Sequence, residues 1–572
     1  MRYFVLACDY DGTIAHEGVL SNRVISSLEK LIANKRQLIL VTGRTLEELL
    51  EVCSRIDLFK IVVCENGGLL FKPDTQEIIT LASELPPEFV RELEKKHITP
   101  LTVGRTIAAT WHPNEKRVLE IIRELGLDLQ ISFNKGAVMI TSSSVNKATG
   151  LRFALETLRL SLRNTVGVGD AENDHAFLDE CELSVAVNNA LDSLKQHVDY
   201  VMNQENGQGV IELIDQLIAN DLSLSHSSRQ SIVFGTTISG ESLRLAFGES
   251  ILITGDSNSG KTTLSFALVN ALAKMGYQIC VIDPEGEYDD LWHSVTTGNQ
   301  NHEPDLDDVM RVLENPNENC VVNLLGVSLA NRPDFLTGLV GRLQQIRERL
   351  GRPHWIVIDE AHHMLHPYWE EVLKDIPDGM NNVVLITVNS SEISRRLLES
   401  SSLVVALGKQ ANSLINSYCE VLGVMVPKLN EISVDRAEAL VWKPKSNREP
   451  EKVRLKIEII PIKRHRRKYA DGDVGKERSF YFTGPRGLIN LRAKNLYIFL
   501  EIMEGIDDET WQFHLNRGDY ANWFREVIRD VELAENVNKI EPSLSAVDSK
   551  RMIKELIERR YTLPYCISRP PV

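Results

Sequence analysis

The sequence predicts a multidomain α/β protein with a mainly helical C-terminal module. Three observations point there. Two long stretches alternate short apolar runs with helix-period segments, the pattern of parallel sheets covered by helices. Several apolar runs end in acidic or hydroxyl residues next to glycine, as strands do at the ligand-binding edge of open α/β sheets. Beyond Ser479 the pattern turns helical, from Asn490 to Tyr561.

Length and composition bound the reading. At 572 residues the chain is long enough for about three or four domains. Its 43% hydrophobic and 25% charged residues are those of a globular protein. The net charge of −16 argues against a chain-wide nucleic-acid surface, though not against a local basic patch. No apolar run reaches the ~18 residues of a membrane span. The apolar stretch Tyr3–Ala7 is too short for a signal peptide, so a cytoplasmic protein without membrane contact is expected. The eight cysteines are scattered without a C-x-x-C pair, which fits core residues in a reducing compartment. No fixed-period repeat is present.

The expected organisation follows from shifts in pattern. Residues 1–220 form the first α/β region, and a serine-rich segment, 221–230, reads as a linker. Residues 231–460 form the second α/β region, closed by the alternating run Val453–Ile460. A basic linker, 461–478, carries Lys463, Arg464, Arg466, Arg467 and Lys468, and 479–572 make the helical module.

In the first region, Asp9-Tyr-Asp11-Gly-Thr13 follows an apolar strand, so both carboxylates project from its tip. A second strand ends in Thr42-Gly-Arg44, Lys147 opens a helix, and a third strand ends in Gly169-Asp170 with Asp174 close behind. These groups supply carboxylates for a hard cation and a lysine and hydroxyl for an anion; Mg²⁺ favours a few carboxylates, waters and phosphate oxygens. In this order the four segments resemble the haloacid dehalogenase (HAD) phosphatase superfamily. The resemblance implies a Rossmann-like domain in which Asp9 is the nucleophile, forming an aspartyl-phosphate, and Asp11 the general acid and base. It implies that Thr42 and Lys147 hold the phosphoryl group, and that Asp9, the Asp11 carbonyl, Asp170 and Asp174 hold Mg²⁺. The segment between Thr42 and Lys147 exceeds a simple crossover, so an α+β cap is expected at about 81–135. With Thr42-Gly-Arg44 and Glu65-Asn66-Gly67-Gly68, it resembles the Cof-type and sucrose-phosphatase (type IIB) branch, whose substrates are mainly phosphosugars and other small phosphometabolites. Arg44 and Asn173 are either substrate contacts or a surface ion pair and a helix cap.

In the second region, the strand Ser250–Thr254 runs into Gly255-Asp256-Ser257-Asn258-Ser259-Gly260-Lys261-Thr262-Thr263 and then an apolar helix. This G-x-x-x-x-G-K-[ST] loop cradles phosphates with backbone amides. Lys261 reaches the terminal phosphates and Thr262 the Mg²⁺ of a bound ATP. Trp355–Ile358 leads to Asp359, placed to hold Mg²⁺, and Glu360, placed to polarise an attacking water. A further strand, Val383–Asn389, puts Asn389 where it can sense the γ-phosphate. Together with Asp283-Pro-Glu-Gly-Glu287-Tyr288, these residues resemble HerA/FtsK-type RecA-like ATPases, although Asn389 stands where glutamine is common. The relatives form hexameric rings that translocate DNA and use a trans arginine, so the resemblance implies a homo-oligomer and makes DNA a candidate partner; Arg395 and Arg396 are candidates for that arginine, with solvated helix arginines as the alternative.

The basic run could contact phosphate backbone, with a solvated linker as the alternative. The aromatics Trp511 to Phe524 could stack bases, with a small helical core as the alternative. The reading that follows is a Mg²⁺-dependent phosphatase of small phosphorylated molecules joined to an ATP-hydrolysing region that gates or regulates it. A DNA-dependent translocase with an end-trimming phosphatase and an ATP-switched scaffold remain the alternatives.

Overall fold

The apolar runs become the strands of two large sheets. In chain order the N-terminal region holds β1 (Val5–Cys8), β2 (Gln37–Val41), β3 (Ile61–Cys64), β4 (Leu69–Lys72) and β5 (Glu77–Thr80). The inserted strands β6 (Thr102–Val103), β7 (Ile107–Trp111), β8 (Leu129–Asn134) and β9 (Ala137–Ser142) follow, and then β10 (Thr165–Gly169), β11 (Leu183–Ala186) and β12 (Tyr200–Val201). These assignments come from a computed structural model, which describes residues 1–221, 231–256, 259–289, 291–299, 301–427, 433–435, 437–446, 448–456, 474, 478–485, 487, 489–528, 530–540 and 544–560. Residues 1–458 form one unit and 459–572 a second.

The first sheet runs β12-β11-β10-β1-β2-β3-β4-β5, parallel from β12 to β3 and antiparallel at β4 and β5. Its central strands are buried on both faces because helices cover both. Helix Asn22–Ala33 shows why: Ser21 caps it, and Val24, Leu28 and Leu31, spaced at one helical face, are buried.

The insertion is a separate antiparallel sheet, β6-β7-β9-β8, packed on helices Pro87–Lys95 and Glu115–Leu125. Phe89, Leu93, Val118 and Ile121 fill its core against Ala108 and Ile140. The expected boundary at residue 135 falls short. β9 lies between β7 and β8, so the cap continues to Ser142, because an inner strand cannot be left out of a sheet it pairs on both sides.

The central region holds β13 (Ile232–Thr237), β14 (Ser242–Leu245), β15 (Ile251–Gly255), β16 (Ile279–Asp283), β17 (Ser294–Thr297), β18 (Asn319–Asn323), β19 (Trp355–Ile358), β20 (Val383–Thr387), β21 (Leu403–Leu407), β22 (Glu438–Trp442) and β23 (Glu451–Leu455). The order is β14-β13-β23-β22-β21-β15-β20-β19-β16-β18-β17. Strands β15 to β21 are parallel, and β22, β23, β13 and β14 extend the sheet antiparallel. One strand, β20, separates β15 from β19, so the residues after all three open onto one edge.

The two sheets meet at the beginnings of their strands. Glu182, just before β11, is fully buried and binds Arg2 Nη2 at 2.7 Å, Arg163 Nη1 at 3.3 Å and Tyr277 Oη at 3.0 Å. Tyr277 precedes β16 and stacks on Phe247. His354 Nε2–H donates to Asn164 Oδ1 at 3.0 Å, while Gln278 N–H donates to His354 Nδ1 at 2.7 Å. Both ring nitrogens are thereby committed to a neutral imidazole. Burial and the nearby Arg352 push its pKa well below the ordinary value.

In the C-terminal unit the hairpin β24 (Phe480–Phe482) and β25 (Leu491–Ala493) packs with helices Leu496–Gly505, Asp508–Arg517, Asp519–Glu526, Val531–Asn538 and Ala546–Arg560. Phe480, Phe499, Trp511, Tyr520, Trp523 and Phe524 form its core. These aromatics are therefore packed inside and present no stacking platform. No helix among the described residues is long and apolar enough to cross a membrane.

Candidate active sites

The Asp9 backbone N–H donates to Val168 O at 3.0 Å, extending the β1–β10 pairing one residue and placing the carboxylate at the sheet edge, almost fully buried. Asp170 leaves β10 beside it, and Thr13 Oγ1 donates to Asp170 Oδ1 at 3.1 Å. Asp174 Oδ2 accepts the backbone N–H groups of Asp170 and Ala171 at 2.8 and 2.9 Å, which ties this loop into a turn. Gly12 has φ +77°, and a Cβ there would lie 2.2 Å from Asp170 Oδ2, so the turn after Asp11 needs glycine.

Lys147 is the first residue of a helix capped by Asn146 and is wholly buried. Its Nζ donates to Asp9 Oδ1 at 2.5 Å and Asp174 Oδ1 at 2.7 Å. Burial pushes the Asp9 carboxyl well above its usual range, with Lys147 opposing and the charges of Asp174 and Asp170 adding. Burial and Asp174 also raise Asp170. Burial disfavours the Lys147 ammonium, but Asp174 and Asp9 outweigh it and hold the charge. Ligand oxygens of Asp9, Asp170 and Asp174 lie within 4.8 Å of one another. An all-oxygen set of this kind fits a hard divalent cation such as Mg²⁺.

Asp11 stands outside that cluster. Both its oxygens accept from Arg44, from Nε at 2.6 Å and Nη2 at 2.8 Å, so its carboxylate is not a member of the cation set. Thr42, at the end of β2, is buried at the same edge, and its Oγ1 accepts Arg44 N–H at 3.1 Å. Arg44 is thus the partner of Asp11, a role the sequence left open.

Glu65 was singled out in the sequence only as part of the Glu65–Gly68 loop, and Lys135 was missed. Glu65, buried completely, accepts Arg105 N–H at 3.1 Å, Thr106 N–H at 2.6 Å and Thr106 Oγ1–H at 2.7 Å, pinning the cap to the sheet. Lys135, in the β8–β9 turn, reaches down to the carboxylate of Asp170. Its only signal was a lysine before glycine in a hairpin turn. Ser132 and Met139 share the cap face over the site: Asn66 Nδ2 donates to Ser132 Oγ at 3.4 Å, and a Cβ on Gly43 would lie 3.0 Å from Met139 Sδ. Asn173 Nδ2 donates to Asn66 Oδ1 at 3.4 Å, which places Asn173 at this cleft.

At the central edge, Gly260 has φ +99° and starts helix Lys261–Lys274. Lys261 Nζ donates to Gly255 O at 2.7 Å and Asp256 O at 3.1 Å, curling over the loop that precedes it. Ser259 N–H donates to Asp256 O, and Thr262 and Thr263 lie in the first helical turn; Ser257 and Asn258 fall outside the described residues. Asp359 is buried after β19, and burial, then the charges of Glu287, Glu360 and Asp283, raise its pKa well above the usual range. A bound cation is the natural compensation for such a carboxylate. Glu360 follows at φ +42°, with Oε2 3.5 Å from His362 Nδ1.

The Asp283–Tyr288 loop is organised by Asp283, which accepts backbone N–H groups from Gly286 at 2.6 Å and Tyr288 at 3.0 Å. Tyr288 Oη then meets Ser265 Oγ at 2.7 Å on the helix after the phosphate loop. Asn389 Oδ1 accepts from Ser391 N–H at 3.1 Å and Ser417 Oγ–H at 2.9 Å, so its oxygen caps a turn. Arg396 is tied to Ile376 O at 2.7 Å and Asp378 Oδ1 at 2.9 Å, and Arg395 to Glu399 at 3.1 Å. Arg396 is therefore a structural tie within its own chain. The basic run Lys463 to Lys468 lies outside the described residues.

A buried carboxylate–lysine set at one sheet edge and a P-loop with its acidic partner at another mark a multidomain α/β protein of the hydrolase class. The model of the haloacid dehalogenase-like hydrolases matches residues 6–101 and 94–214, and an AAA domain matches 248–397. A phosphoglycolate phosphatase of Archaeoglobus fulgidus is 30% identical over 220 residues, covering 37% of this chain and 96% of that protein. One from Methanothermobacter thermautotrophicus is 29% identical over 215 residues, covering 36% and 96%. A solved haloacid dehalogenase-like hydrolase from Bacteroides thetaiotaomicron aligns at 18% identity and TM-score 0.33, over 38% of this chain and 99% of that one. Through its N-terminal region the chain belongs to the haloacid dehalogenase-like hydrolase family.

Proposed function

We propose that the N-terminal site is a Mg²⁺-dependent phosphomonoesterase for small phosphorylated metabolites, and that the central site hydrolyses ATP to regulate it. The observation that carries the first part is the burial of Lys147 between Asp9 and Asp174, with Asp11 a residue away on Arg44. Asp9, Asp170 and Asp174 would hold the cation, which offsets phosphate charge when bound. Lys147 supplies a fixed positive charge to the phosphoryl oxygens, and Thr42 a hydroxyl donor. Asp9 Oδ attacks phosphorus, the ester oxygen leaves with a proton from Asp11, and Asp11 then takes a proton from the water that cleaves the aspartyl-phosphate. In the structure Arg44 holds both oxygens of Asp11, so Asp11 gives up that pair and takes up a proton before it donates to the ester oxygen. At the central edge Lys261 exchanges its carbonyl partners for phosphate oxygens, and Glu360 orients water.

The relatives' printed activity makes 2-phosphoglycolate the first compound to try, beside phosphosugars. Phosphate release is measured on such a panel with Mg²⁺, for the wild type and Asp9→Asn. Turnover that Asp9→Asn abolishes is expected; a panel without any overturns the phosphatase reading. ATP hydrolysis lost in Lys261→Ala tests the second centre.

A further inference from the structure

Glu360 is held in a conformation that its own Cβ disfavours. At φ +42° and ψ +48° it is left-handed, and Asp359 Oδ1 accepts its backbone N–H at 2.9 Å to keep it there. The next residues make a single 3₁₀ turn, Ala361–His363, closed by His363 N–H donating to Glu360 O at 2.9 Å. The turn brings the side chains of Glu360 and His362 together, with Nδ1 3.5 Å from Oε2. The same nitrogen lies 3.4 Å from Thr387 Oγ1 at the end of β20.

The hydrogen-bonding roles follow from the partners. Thr387 Oγ1–H donates to Asn389 O at 3.0 Å, so toward the ring this hydroxyl only accepts. The Glu360 carboxylate likewise only accepts. Two acceptors facing one nitrogen place the imidazole proton on Nδ1. Both distances are at the long end of the range, as for a proton shared between two acceptors. Burial lowers the pKa of His362 and so favours the neutral ring with that single proton. The His363 ring packs beside it at 4.4 Å. His362 thereby joins the carboxylate that follows β19 to β20, the strand lying between β19 and the strand of the phosphate loop.

We infer that His362 is a positioning residue for ATP hydrolysis, its Nδ1–H holding the Glu360 carboxylate in register with the end of β20. This rests on the reading of the central edge as an ATP-hydrolysing site and adds to it what aims the water-orienting group. His362 contributes no atom to the reaction. A carboxylate that orients water must be held in one place, and releasing it slows turnover while the phosphate loop still binds nucleotide.

The test measures phosphate release by the full chain across a range of ATP concentrations, and binding with a fluorescent ATP analogue. His362→Asn keeps a donor at the place of Nδ1, whereas His362→Gln puts its donor where Nε2 stood. His362→Gln is expected to lower kcat about ten- to a hundredfold, the size of a lost hydrogen bond to a charged group. Its KM should change by less than about twofold, and His362→Asn should retain most of kcat. In a Glu360→Gln background, His362→Gln is expected to cost nothing more, because the two residues act as one unit. An unchanged kcat in His362→Gln overturns the inference. So do equal losses in His362→Gln and His362→Asn, losses that multiply with Glu360→Gln, or lost nucleotide binding, which would make His362 a support of the loop's shape. In each of these cases wild-type hydrolysis that Lys261→Ala abolishes leaves the ATPase reading standing. A wild type without Lys261-dependent hydrolysis overturns both.

Discussion

His354 Nε2–H donates to Asn164 Oδ1 at 3.0 Å and so joins the start of β19 to the start of β10. From that junction β19 leads to Asp359 and β10 to Asp170, so the two functional edges lie at the far ends of their sheets.

The junction makes stability sensitive to acid. His354 stays neutral when folded, its pKa being well below the ordinary ~6.5, while the unfolded chain titrates normally. Below that pH the unfolded state binds more protons than the folded one, so stability falls as pH falls, by up to about 1.4 kcal/mol per pH unit from this group. Above pH ~6.5 the contribution is complete. Urea unfolding at pH 7.5 and 5.5 is expected to show a lower midpoint at the acid value, and His354→Gln to reduce the difference. An equal difference in the variant would contradict this role.

Separate edges predict separable chemistry. Asp11→Asn is expected to lower phosphate-ester turnover about 10²–10⁴-fold, the range for loss of a general acid. ATP hydrolysis by the same preparation should be unchanged, because Asp11 has no part in the central edge. Parallel assays of both activities check this.

Glu360→Gln is expected to slow ATP hydrolysis by about 10²–10⁴-fold while nucleotide binding persists, since the phosphate loop and Lys261 remain intact. A fluorescent ATP analogue measures binding in the variant, and phosphate release measures hydrolysis. Loss of binding would show that Glu360 shapes the loop and does not act on water.

Glu65→Gln replaces one of the two acceptor oxygens by N–H₂, which must then face a donor, either the Arg105 N–H or the Thr106 N–H and hydroxyl. The expected cost is about 1–3 kcal/mol, with faster hydrogen exchange at the Arg105 or the Thr106 amide. Unaltered exchange would mean that the cap is held elsewhere.

The functional edges were legible because each is written in a short segment. Asp9 and Asp11, Asp170 and Asp174, or Gly260 and Lys261 are neighbours in sequence, and strand-end geometry alone aims them. The cap was legible as an extra length but not in its limits, since β9 reads as part of the return to Lys147 until its partners β7 and β8 are known. Trp511, Tyr520, Trp523 and Phe524 resolved into a core for the same reason: burial depends on partners such as Phe480 and Phe499 elsewhere in the chain.

The sequence by itself determined the α/β class, the order of the motifs and the identity of the charged groups at both edges, because these depend on local periodicity and on residues a few positions apart. Only the tertiary structure decided that Arg44 belongs to Asp11, that Glu65 fastens the cap, that Lys135 faces Asp170, and that the sheets join through Glu182, Tyr277, Asn164 and His354. Each of these pairs a charged or polar group with one distant in sequence. Burial sets their strength, and burial is a property of the whole fold.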